Sequence, residues 1–81
     1  MIKLVSIGRE MDYVVLTVEF DFQGEYYSLT DRVKVDTLLG MSKEDIVDAI
    51  KKRVARERMN LAEDDIKELL GDLIGVDLEA V

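Results

Sequence analysis

The chain has 81 residues, with 11 Lys and Arg against 18 Asp and Glu, a formal charge of −7, and neither His nor Cys. The missing Cys excludes disulfides, thiolate zinc sites, iron–sulfur clusters and cysteine nucleophiles, and the missing His removes the usual general base, triad member and haem ligand. A chain this short buries only about 60–65% of its extended surface on folding, so residues 1–81 read as one domain that gains from partner surface.

Any catalysis would rest on carboxylates, Lys or Tyr, and no spacing brings such groups together; the chain reads as a non-enzyme with no cofactor. Its acidity argues against general attraction to nucleic acid or anionic lipid. The opening run Met1 to Gly8 is too short for a signal h-region and no stretch approaches a membrane span, which predicts a protein that stays in the cytoplasm. With 36% charged residues and Gln23 and Asn60 as the only side-chain amides, the composition leans toward a heat-adapted source.

In chain order, Ile2 to Ile7 reads as a first strand and Gly8 to Asp12 as its connection. From Asp12 to Phe22, Val14, Leu16, Val18, Phe20 and Phe22 alternate with Val15, Thr17, Glu19 and Asp21, the period of a strand with one buried face. Gln23-Gly24 predicts a two-residue turn into a third strand, Glu25 to Asp36. That turn sets Phe20 opposite Tyr27, Val18 opposite Leu29 and Val14 opposite Val33, all on one face, so turn geometry and hydrophobic pattern agree. For the first strand, Ile2 opposite Val18 and Leu4 opposite Leu16 leaves Val5, Ile7, Tyr13 and Val15 together on the far face.

A loop from Thr37 to Met41 leads to Ser42-Lys43-Glu44-Asp45, a helix start with Ser42 as N-cap and acidic residues in the first turn. Ile46, Val47, Ile50 and Val54 form its buried stripe, and the helix runs to about Met59. Asn60 and Glu63 resemble a second capping box, opening a second helix with Ile66, Leu69, Leu70, Leu73 and Ile74 on one side and Gly75 near its end. Residues 76 to 81 alternate again, in the pattern of a short fourth edge strand. The fold class is therefore α+β, a three-stranded antiparallel meander packed on two C-terminal helices.

Two helices cover one face of such a sheet, so the cluster Val5, Ile7, Tyr13 and Val15 is the interface candidate; the alternative is that the second helix or the last strand folds over it. A protein partner is expected, as a homo-oligomer or as a subunit of a larger assembly. The run Lys51, Lys52, Arg53, Arg56 and Arg58 holds five of the eleven basic residues and gives the alternative of a nucleic-acid-associated regulator. On a helical wheel these charges surround the exposed circumference, and Asp48 and Glu57 are spaced to pair with Lys51, Lys52 and Arg53. Asp31 falls opposite Leu16 on the apolar face, either as an acid of raised pKa or a metal ligand, or turned outward by a bulge or lying beyond the helical layer. Glu63, Asp64, Asp65 and Glu68 open the second helix, where its dipole accounts for them without a metal.

The order of elements, with Phe20-x-Phe22-x-Gly24-x-Tyr26-Tyr27, a helix beginning at Ser42 and a terminal Leu-Leu-Gly-x-Leu-Ile-Gly, resembles small acidic proteins encoded among virion-assembly genes of tailed bacteriophages. The resemblance implies a structural or assembly role without catalysis, with the virion as a second location. It carries no functional residue across.

Overall fold

Gln23 and Gly24 both adopt positive φ, 50° and 80°, which is the conformation of a type I′ hairpin turn. The turn joins β2 (Tyr13–Phe22) to β3 (Glu25–Lys34) in the computed structural model, which describes residues 1–80. The pairing is as the turn dictates: Phe20 lies opposite Tyr27, Val18 opposite Leu29 and Val14 opposite Val33. Phe20 and Tyr27 stack with ring centroids 5.7 Å apart. At the far end the Val35 N–H donates to the Asp12 carbonyl at 2.9 Å and closes the ladder.

β1 (Ile2–Glu10) differs from the expected register. The strand runs on to Glu10, so that a tight Met11-Asp12 turn, with Met11 at φ 56°, replaces the longer connection. That turn puts Glu10 opposite Tyr13 and Ile7 opposite Leu16. Continued unchanged, it would turn Leu4 and Ile2 away from the core, since a one-residue slip inverts every side chain. A bulge between Leu4 and Ser6 absorbs one residue, and beyond it Leu4 lies opposite Val18 and Ile2 opposite Phe20. Ile2, Leu4 and Ile7 thereby share the helix-side face, which strict alternation forbids. The sheet order is β1-β2-β3.

A short helix, α1 (Val35–Leu39), occupies part of the expected loop. Ser42 then opens α2 (Lys43–Leu70) with a capping box: its Oγ accepts from the Asp45 N–H at 3.1 Å and its own N–H donates to the Asp45 carboxylate at 3.5 Å. The break expected at Asn60 is not there. α2 is one helix of 28 residues, about 42 Å long at 1.5 Å per residue. No Gly or Pro interrupts Lys43 to Leu70, and one Asn in a helix interior costs at most about 0.7 kcal/mol, too little to stop propagation.

α2 leaves its helical path at Gly71–Leu73, a 3-10 turn, and Gly75 at φ 79° redirects the chain. The alternating C-terminal segment is not a strand over its described part: Leu78–Ala80 is a second 3-10 turn, and Val81 lies outside the described residues. The fold is α+β, a three-stranded antiparallel sheet with one long helix across one face. Its core is Val18, Phe20, Leu29 and Val54, with Ile2, Phe22, Tyr27, Ile50 and Leu61 packed around them. The molecule is elongated, measuring 59 × 23 × 21 Å.

Candidate functional site

The sequence-derived interface cluster is not a single patch. Tyr13 and Val15 lie on the sheet face away from α2, Ile7 shares the opposite face with Leu16, and Val5 sits at the bulge. Ile7 is 69% exposed because α2 does not reach that end of β1, whereas Val15 is half-buried. The far face is mainly polar: Ser28, Thr30 and Arg32 of β3 lie opposite Glu19, Thr17 and Val15. Arg32 donates from Nε to the Glu10 carboxylate at 3.1 Å, an ion pair that crosses β2 beside Tyr13 and Val15.

The basic run divides in two. Arg53 and Arg58 turn toward the sheet and are neutralised there, while Lys51, Lys52 and Arg56 are exposed and form no ion pair among the described residues. Arg53 donates from Nε to Asp31 at 3.3 Å and from Nη1 to Glu57 at 3.2 Å, and the Glu57 hydrogen bond, followed by the charge of Asp31, raises its pKa further. Arg58 donates to the Asp21 carboxylate and to the Asp21 carbonyl, both at 2.9 Å, with its guanidinium 5.8 Å from the centre of the Phe20 ring. The Asp21 carboxyl is held below its ordinary value, first by the Met1 amino group that donates to it at 2.7 Å and further by Arg58. These contacts are how α2 is pinned across the sheet.

Asp31 stands opposite Leu16 as the register requires, with no bulge at its position. Arg53 is the partner that sequence spacing did not reveal, because it comes from the crossing of α2 over β3. Beside this pair an apolar cavity of about 90 Å³ lies between sheet and helix, lined by Leu16, Leu29, Leu38, Met41 and Ile46. Small-molecule sites begin at about 300 Å³, so this void is a packing gap. Among the described residues no three acidic side chains converge as a metal site requires, and no helix is long and apolar enough to cross a membrane.

A run of exposed apolar side chains lies on the C-terminal part of α2. Leu61 is the last helical residue packed against the core. Beyond it Asp65 still lies near enough to Tyr27 that, after the hydrogen bond to Glu25, its charge also raises the phenol's pKa, while every side chain from Glu63 to Leu70 is exposed. Met59 is 74% exposed, Ile66 55% and Leu69 75%, and Leu70, Ile74 and Leu78 are exposed with them. Ala55, Met59, Ala62, Ile66 and Leu69 step by four, three, four and three residues, the spacing of a coiled-coil seam. At about 100° per residue this stripe lies roughly 120° around the helix from the Ile50, Val54 and Leu61 side that meets the sheet. α2 thus has two apolar faces, one used and one open. Comparison with family models, with curated proteins and with solved structures finds no match for the chain.

Proposed function

We propose that the chain is a non-enzymatic association module, which self-associates or docks into a larger assembly through the projecting arm of α2. The observation that carries this reading is the open seam of exposed Met59, Ile66 and Leu69, with half-buried Ala62 between them, on a helix whose other apolar side is already seated on the sheet. A contiguous exposed apolar stripe on a domain this small is what association surfaces look like. It also fits an assembly role of the kind implied by the resemblance to small acidic phage proteins. The far face of the sheet draws less support as the contact, being mostly polar and crossed by the Arg32–Glu10 pair. A nucleic-acid role draws less as well, since Arg53 and Arg58 already hold carboxylates.

The test is sedimentation of the natural chain and of Ile66→Asp over a range of concentrations. The natural chain is expected to run heavier than its 9.2 kDa, and the variant to run at that mass with unchanged circular dichroism. Equal masses for the two, at every concentration, would remove the arm as the contact.

A further inference from the structure

We infer that the occupant of the open seam is the same seam on a second copy of this chain, running antiparallel. The inference rests on the reading of the arm as an association surface and assigns it a partner and a register.

The charge along α2 and its extension is divided. Lys51 to Arg58 carries five basic residues, of which Arg53 and Arg58 are held by carboxylates and Lys51, Lys52 and Arg56, among the described residues, are not; Glu63 to Glu79 carries seven acidic residues and one basic residue, Lys67. Side by side in parallel, two copies would set like segments against each other, with Lys51 of one next to Arg56 of the other across the seam. Turned antiparallel about a two-fold axis between Asn60 and Leu61, the basic segment of each copy lies along the acidic segment of the other. The arrangement is isologous and closes at two copies.

One register satisfies both seam and flanks. Met59 packs against the partner's Ala62 and Ala55 against the partner's Ile66, each pair occurring twice by symmetry. Leu69 meets the aliphatic stem of the partner's Lys52, whose ammonium extends past the seam to water. In the same register the flanking Arg56 lies beside the partner's Glu63, which Lys67 of its own helix holds at 2.9 Å and to which Arg56 adds a second cation, and Lys51 lies beside the turn that carries the partner's Asp72. Arg56 and Lys51 are two of the three cations of the run that α2 leaves without a carboxylate among the described residues. The seam lies roughly 120° around α2 from the side seated on the sheet, so the second helix approaches on a different side from the one the sheet occupies.

The experiment uses the absence of native Cys. Ala55→Cys and Ile66→Cys chains, mixed and oxidised gently, are expected to form a disulfide-linked heterodimer, while Ala55→Cys alone forms none. In the antiparallel pair the two copies of residue 55 stand about 16 Å apart along the axis, at 1.5 Å per residue. Arg56→Glu and Glu63→Arg each raise the dimer Kd by roughly tenfold, and the double variant restores it, since each exchanges two attractive flanking pairs for repulsive ones. Linking of Ala55→Cys to itself, in a particle that Ile66→Asp dissolves, would overturn the antiparallel register and leave the arm as the contact. A natural chain that sediments as a single copy would overturn the pairing outright.

Discussion

The two parts of α2 share apolar side chains at helical spacing and have opposite surroundings. From Ile46 to Leu61 one apolar stripe is seated on the sheet, with Val54 fully buried, and Arg53 and Arg58 on its borders bind Asp31 and Asp21. From Ala62 to Leu70 the helix continues without a break, yet its Ile and Leu side chains face outward. Continuity of a helix and burial of its apolar side are therefore separate matters. The first half, nucleated by the Ser42 capping box and packed on the core, lets the second propagate one hydrogen bond at a time. What the second half does with its apolar surface is then a question of partners.

Substitutions on the two sides of α2 should differ accordingly in effect. The largest effect belongs to the seated side: Phe20→Ala removes a fully buried ring under Arg58 and stacked on Tyr27, and is expected to cost about 3–5 kcal/mol in denaturant melts. Gly24→Ala forces a Cβ into φ 80° and is expected to cost about 1–2 kcal/mol, read in the same melts, by straining the turn that sets the sheet's register. A double-mutant cycle on Asp31 and Arg53 should give a coupling below about 1 kcal/mol, because both side chains are more than a third exposed to water. On the open side, Ile66→Ala is expected to change stability by less than about 0.5 kcal/mol in dilute solution, and more only where concentration brings copies together. A loss of several kcal/mol in dilute solution would mean that the arm folds back on its own domain.

The smallest effect is a pH dependence at Asp21. Its folded carboxyl titrates below the ordinary 3.8, so what it contributes is fully present above about pH 4 and disappears as pH falls through the lower folded value. The stability difference between the natural chain and Asp21→Asn should therefore be constant near neutrality and close in acid. A difference that grew as pH fell would contradict the contacts from the Met1 amino group and Arg58.

The sequence made parts of this molecule legible for identifiable reasons. Gln23-Gly24 admits one tight turn, and the alternation on either side admits one register, so β2 and β3 pair as expected. β1 was not readable because its pattern depends on a bulge at Val5, and the bulge follows from a Met11-Asp12 turn that no glycine announces. The apparent far-face cluster came from carrying strict alternation through that bulge. Asn60 and Glu63 carry the letters of a capping box whether or not the backbone bends there, so a single helix and two helices look alike in sequence. The pairing of Arg53 with Asp31 and of Arg58 with Asp21 depends on the line along which α2 crosses the sheet, which side-chain spacing does not encode. The seam from Ala55 to Leu69 was present as a heptad pattern, but it spans the supposed break and emerges only once the helix is continuous.

The most direct test of an arm that is free on one copy and covered between two is amide hydrogen exchange along α2 in a dilution series. Protection of Ala62 to Leu70 is expected to fall as the chain is diluted, while that of Ile50 to Arg58, seated on the sheet, stays constant. Protection of both segments that is indifferent to dilution, from the lowest concentration to the highest, would contradict it.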